Sequence, residues 1–243
     1  ALVVVLGGGV LGDMGGFCAA TYKRGIDFIL LPTTLLAQVD ASIGGKLGID
    51  FNHLKNHIGV FKEPGLTMLY SGFLKTLPLA ELRSGFAEVI KHTLISDREM
   101  WNNIRPRSLH EQDWDVLIAH SAAFKSDVTT KDPTEKGLRK ILNAGHTIGH
   151  AVETYFLSSG KKILHGEAIA AGLIAEGFLA QERVLITTEQ LQQLNQYILK
   201  IFGKLTLDEK MFEPIAALTI QDKKNKGSKI QCVMLDGIGK ATW

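Results

Sequence analysis

Arg139, Asn143, His146 and His150 recur at intervals of four, three and four residues. That spacing lays four polar side chains along one helical band. Such a band is not ordinary core, because every buried polar group on it needs a partner. It therefore points to a site more strongly than any single histidine, which is more often a satisfied structural residue. His146 and His150 share one face, so spacing alone offers them as a pair of ligands. Ser158, Ser159, Gly160, Lys161 and Lys162 then break the pattern as a loop. A second helix starts near His165 and runs through Ala168, Ile169, Leu173, Ile174 and Phe178. A hairpin of these helices returns His165 beside His146, and two neutral imidazoles make a good start on a zinc site.

The 243 residues are long enough for one large core or two moderate ones. A formal net charge of +2, spread without stripes, gives no footprint for nucleic acid. Cys18 and Cys232 stand far apart, so no disulfide framework is expected. The sequence shows no signal peptide and no apolar run long enough to span a bilayer, which places the expected location in a reducing cytoplasm. The chain opens on Leu2-Val3-Val4-Val5-Leu6 without an initiator Met. This reads as a buried strand that belongs among neighbours, and hence as part of a longer protein.

After that strand, Gly7, Gly9 and Gly12 satisfy a G-x-G-x-x-G spacing at a strand-to-helix turn. The acidic residue about 20 positions on is Asp27, which precedes the next strand rather than ending it, so this is not the standard dinucleotide fingerprint. Ile26–Leu31 reads as that second strand, closed by Pro32. Residues 33–46 are dense in small and hydroxyl side chains. Thr33 and Thr34 can donate hydrogen bonds, and Lys46 and Lys55 offer charges to phosphate or carboxylate; a solvated loop with a helix cap accounts for the same pattern.

Near Leu77-Pro78 the alternation of strands and glycines gives way to helical periodicity, so a domain border is expected there. Leu79–Ile95 reads as a helix with Glu88 and Lys91 three apart. Glu88 stands among Phe86, Ala87, Val89 and Ile90. It lies either on an exposed stripe or paired inside, for example to a metal, and the pattern favours the exposed stripe. Helices are also expected over Asp115–Val128, Glu189–Phe202 and Asp208–Leu218, and a strand over Ile230–Leu235. The charged run Asp222–Lys226 reads as a solvated loop.

Five ordered motifs carry a resemblance: Gly-Gly-Gly-Val-Leu-Gly-Asp from Gly7, Pro-Thr-Thr-Leu-Leu-Ala-Gln-Val-Asp-Ala-Ser-Ile-Gly-Gly-Lys from Pro32, Gly-Phe-Ala-Glu-Val-Ile-Lys from Gly85, Asn-Ala-Gly-His-Thr-Ile-Gly-His-Ala from Asn143, and His165-Gly-Glu. In this order they resemble the 3-dehydroquinate synthase family, over Leu2 to about Ile238. The resemblance implies an α/β, Rossmann-like nucleotide-binding domain, partial here, over residues 1–78, and a mainly α-helical metal and substrate domain over 79–243. It implies a zinc ion, or cobalt in its place, on Glu88, His146 and His165, with His150 moved from ligand to a residue that either supports the ligands from behind or transfers a proton. Lys91, Lys125, Arg139 and Asn143 match residues that hold the substrate's carboxylate, hydroxyls and phosphate. Asp40, Lys46, Lys55 and Asn56 match residues of the cleft in the nucleotide domain. Arg24 matches a phosphate contact supplied across a homodimer, and Lys223 or Lys224 a lysine of the substrate pocket. Gly8, Gly9, Asp13, Thr33 and Thr34 match contacts to NAD. Leu47 and Asp50 stand where the family commonly has Thr and Asn, which implies small changes in packing on the NAD side.

The implied reaction converts 3-deoxy-D-arabino-heptulosonate 7-phosphate to 3-dehydroquinate and phosphate. It proceeds by hydride removal at C5, elimination of phosphate, hydride return, ring opening and aldol closure. The implied partners are this sugar phosphate and a second copy of the chain, with neither nucleic acid nor membrane.

Overall fold

In a computed structural model the described residues are 1–51, 54–220 and 230–243, with side chains described outside residues 50 and 54–56. Strand β1 (Leu2–Gly7) leads into helix α1 (Gly9–Thr21), and β2 (Asp27–Pro32) follows. A π-helical turn over Ala37–Ala41 precedes β3 (Lys46–Phe51), β4 (Leu54–Phe61) and the short β5 (Leu66–Thr67). The helices α2 (Leu79–Ser96), α3 (Arg98–Ile104), α4 (Trp114–Lys131), α5 (His146–Ser158), α6 (His165–Glu182), α7 (Thr188–Phe202) and α8 (Glu209–Ile220) come next. A small hairpin of β6 (Met234–Leu235) and β7 (Ala241–Thr242) closes the described chain. This is an N-terminal α/β part followed by a mainly helical part, the expected class. The expected Ile230–Leu235 strand shrinks to β6.

The chain packs as two compact units, Ala1–Phe86 with Asp113–Glu135, and Ala87–Gln112 with Lys136–Trp243. In the first, β1, β2 and β5 form a parallel sheet in that order, with Val4 opposite Ile29 and Ile29 opposite Leu66. Val3 and Val5 pack on a core of Ala19, Phe28, Leu30 and Leu47. The expectation that β1 is buried on both faces fails, since Leu2, Val4 and Leu6 are each more than half exposed. β1 is an edge strand among the described residues, and only one side of its pleat meets α1 and the core. β3 and β4 form an antiparallel hairpin, and α4 packs on the turn that holds Asp40.

In the second unit α5 and α6 cross at close range, with α8 on α5 and α7 on α6. Ala151, Val152, Phe156, Ala168 and Ile215 form the core there. The approach depends on glycine. A methyl group at Gly172 would stand 1.9 Å from the Gly145 carbonyl oxygen and 2.8 Å from the Gly149 nitrogen. Gly145 itself holds φ at 76°, a left-handed turn that side-chain-bearing residues rarely adopt. Replacing Gly172 by Ala is expected to force the two helices apart and cost about 3 kcal/mol, read as a lowered urea midpoint. An unchanged midpoint would show that the crossing tolerates the added carbon.

Candidate metal centre

Glu88 sits on α2 with no exposed surface, among buried Phe86, Ala87, Val89 and Ile90. The exposed stripe favoured by the pattern is therefore wrong: α2 is buried on all sides near its middle, so its polar groups must find partners inside. Lys91, also buried, pairs with the carboxylate from one turn further on. The other oxygen, Glu88 Oε1, faces His146 Nε2 at 3.6 Å and His165 Nε2 at 3.5 Å. These separations are too long for good hydrogen bonds. They suit a shared cation, because two atoms each about 2.1 Å from one zinc lie roughly 3.4 Å apart at a tetrahedral angle. One ligand atom from each of Glu88, His146 and His165 falls within 4.8 Å of the others. The chemistry and spacing of this donor set fit zinc.

Both imidazoles are turned by their far nitrogens. His146 Nδ1 lies 3.0 Å from the Ala144 carbonyl, which can only accept, so Nδ1 carries the hydrogen and Nε2 is left with its lone pair toward Glu88. His165 Nδ1 lies 3.4 Å from Glu153 Oε2, a carboxylate behind an imidazole of the kind that orients metal-binding histidines. Sequence reasoning missed Glu153, although its spacing of three from His150 was a visible signal. His150 packs edge-on to His146, with ring centroids 5.0 Å apart, and lies 6.0 Å from the His165 ring. His150, Glu153 and His165 form a second group of donors that overlaps the first at His165.

The surroundings set the charges. Burial alone would raise the Glu88 carboxyl, but the Lys91 ammonium and the two imidazoles hold it well below the usual carboxylate range. Burial and then Lys91 push His146 well below the ordinary histidine value, so it is neutral. Burial also works against a charged His165, yet the hydrogen bond to Glu153 and attraction to the Glu88 and Glu153 carboxylates raise it to about 9. Without a metal, His165 is therefore cationic at neutral pH.

The band drawn from sequence is not one helix. Arg139 and Asn143 belong to a 3-10 turn, Leu138–Asn143, which Ala144 and left-handed Gly145 separate from α5. The reversal lets the α5 N-terminus be capped from outside: buried Glu176, on α6, accepts from the backbone N–H groups of Gly145, Thr147 at 3.1 Å and Ile148 at 3.3 Å. A carboxylate at the positive end of a helix suits both charge and geometry. Nothing in its local sequence distinguished Glu176 from a surface residue. Arg139 is buried, and Asn143 donates to the Lys140 carbonyl at 3.2 Å.

The first unit holds the remaining candidates. Gly8, Gly9 and Asp13 line a cleft with Gly7, Gly12, Pro32, Ala41 and Leu47. Thr33 donates its backbone N–H to Gly7, and Thr34 Oγ1 accepts from the Ala37 N–H at 3.2 Å. Leu47, where the resemblance expects Thr, is buried in the core of this unit. Lys125 donates to both the Asp40 carbonyl at 2.6 Å and its carboxylate at 2.7 Å. Lys46, at the start of β3, pairs with Glu135. Arg24 ends a short turn with a positive φ of 68°. Lys55 and Asn56 lie on β4, their side chains outside the described set, and Lys223 and Lys224 lie outside the described residues.

Comparison with known proteins agrees with this architecture. The 3-dehydroquinate synthase N-terminal model matches residues 1–84, and the 3-dehydroquinate synthase C-terminal model matches residues 85–225. A 3-dehydroquinate synthase from Parabacteroides distasonis is 42% identical over 241 residues, 98% of this chain and 68% of that protein. Among solved structures, 2-epi-5-epi-valiolone synthase from Streptomyces hygroscopicus, with NAD+ and Zn2+ bound, has a TM-score of 0.86 at 27% identity, over 100% of this chain and 69% of that one. A 2-deoxy-scyllo-inosose synthase complexed with carbaglucose-6-phosphate, NAD+ and Co2+ has a TM-score of 0.84 at 27% identity, over 100% and 68%. With both family models covering nearly its whole length and relatives this similar, the chain belongs to the 3-dehydroquinate synthase family.

Proposed function

We propose that this protein converts 3-deoxy-D-arabino-heptulosonate 7-phosphate to 3-dehydroquinate and phosphate, with NAD used catalytically and a divalent ion, zinc or cobalt, on Glu88, His146 and His165. The observation that carries this reading is Glu88 Oε1 standing 3.6 and 3.5 Å from two imidazole Nε2 atoms inside a buried site. Sequence relatives at 42% identity are named for the proposed product, while the structural neighbours at 27% are synthases named for other products. When bound, NAD would supply the hydride chemistry and the metal ion would stabilise negative charge on substrate oxygens.

The chain's own groups supply position and field. Three protein ligands leave room on the ion for substrate hydroxyls. Lys91 neutralises part of the Glu88 charge and keeps its ammonium beside the place where anionic oxygens would gather. Arg139 and Asn143 are proposed to hold the carboxylate and hydroxyls. Several steps in one site require a substrate held still. His150, stacked edge-on to His146, is proposed to move a proton rather than bind the metal. The cleft edged by Gly8, Gly9 and Asp13 is proposed to take NAD, because bare glycine backbone at the start of α1 lets a pyrophosphate approach the helix N-terminus. A homodimer in the cytoplasm, with Arg24 reaching a neighbouring subunit's phosphate, belongs to the same reading.

The reaction is tested by supplying the full protein with zinc, catalytic NAD+ and the heptulosonate phosphate while following phosphate and NADH. Phosphate released in step with 3-dehydroquinate and without NADH build-up is expected. NADH accumulating with no phosphate would instead mark a polyol dehydrogenase. His165→Ala is expected to lose zinc and turnover together, whereas His150→Ala should keep zinc and lose rate by about 10²-fold or more. Zinc lost from the His150 variant would restore that residue as a ligand.

Metal uptake should also carry a pH signature. In the metal-free protein His165 is protonated below about 9, His146 is neutral and Glu88 is ionised. Zinc must displace the single His165 proton, so affinity should fall about tenfold for each pH unit below that value. Calorimetry at pH 7.5 in buffers of different ionisation heat should show about one proton released per zinc; no release would contradict the assignment.

A further inference from the structure

The two histidines of the metal centre are confined in different ways. His146 is buried, and its Nδ1 is held at 3.0 Å by the Ala144 carbonyl, two residues back in its own chain. Glu176 pins the same turn by accepting from the N–H groups of Thr147 and Ile148. His165 stands instead at the first residue of α6, soon after residues 157–162, which are all exposed. Its far nitrogen meets a side chain from another helix, Glu153 Oε2 at 3.4 Å. That distance is at the long end for a hydrogen bond, but an ionised acceptor makes such bonds roughly twice as strong as neutral ones. Glu153 and His165 are only 12% and 20% exposed in their side chains, so water competes weakly for the contact.

His146, His150 and Glu153 follow one another at steps of four and three on α5, so they share one face of that helix. His165 spans this face. Its Nε2 points to Glu88 beside His146, and its Nδ1 points to Glu153, two turns further along α5. An ionised carboxylate only accepts, so Glu153 keeps a hydrogen on Nδ1 and leaves Nε2 to an ion. We propose that Glu153 is a positioning residue for the metal centre: it latches the His165 ring toward the ion, and metal loss begins when that latch opens. The proposal rests on the ligand set of Glu88, His146 and His165 given above. Glu88 and His146 are enclosed by packing, whereas His165 can turn about its side-chain bonds once Nδ1 is released. Glu153 therefore acts through His165 rather than on the substrate.

The test uses the full protein loaded with zinc or, for its visible absorption bands, with cobalt. Glu153→Ala should bind zinc about 10- to 100-fold more weakly, release it faster to a chelator, and alter the cobalt spectrum. Two further variants separate position from charge and carry the test should the alanine variant fold poorly. Glu153→Gln keeps an acceptor oxygen in place without the charge, and should retain the cobalt spectrum and most of the affinity. Glu153→Asp keeps the charge but draws the oxygen back by one carbon, and should resemble the alanine variant. A merely structural role for Glu153 would leave the cobalt bands of all three unchanged. Wild-type affinity and spectrum in Glu153→Ala, or an aspartate that rescues where glutamine does not, would overturn the latch. Two cobalt ions on the unaltered protein and one on Glu153→Ala would make Glu153 a ligand, which also overturns it. Full metal retention by His165→Ala would take down the ligand set itself, and the latch with it.

Discussion

Everything in the candidate centre follows from how closely two helices are allowed to meet. With hydrogen in place of a side chain at position 172, the Gly145 carbonyl rests against α6, and Gly149 packs one turn on against Ile169 and Ala168. That contact places the first residue of α5 and the first residue of α6, both histidines, on either side of one carboxylate oxygen. A wider crossing would leave the imidazoles too far apart to share an ion about 2 Å from each. Glu176 then ties α6 to the N–H groups at the start of α5, so the spacing is fixed by hydrogen bonds as well as by packing.

The second constraint is electrostatic. A carboxylate with no exposed surface is tolerable only among compensating charges, and Glu88 has Lys91 on one oxygen and imidazoles on the other. Lys91 is itself fully buried, so neither partner can be removed without stranding the other. The two histidines respond oppositely to similar burial: Lys91 helps to discharge His146, while Glu153 helps to charge His165. Replacing the His165 proton by a divalent ion would raise the net charge of the centre by one.

Much of this was legible in the sequence because periodicity carries it. The helix from Leu79, the break at Ser158–Lys162 and the restart at His165 follow from apolar spacing and turn residues. The ordered motifs named Glu88, His146 and His165 together, and these are the residues the fold gathers. Local pattern misjudged the burial of Glu88, since an apolar flank looks alike whether a helix is covered on one side or all round. It also drew Arg139 and Asn143 onto α5, because a left-handed Gly145 leaves no mark in side-chain periodicity. Glu153 and Glu176 went unseen because their partners are distant in sequence or lie on backbone.

The division into units has a consequence for how the chain is made. Phe86 meets Trp114 edge-on, with ring centroids 5.7 Å apart, and Lys125 holds Asp40 from α4. The first unit therefore lacks part of its wall until residues 113–135 have left the ribosome, after 87–112 of the other unit have already emerged. At ordinary elongation rates the wait past Phe86 lasts roughly 2–10 s. Because the two units interleave along the chain, one cut cannot free either unit intact.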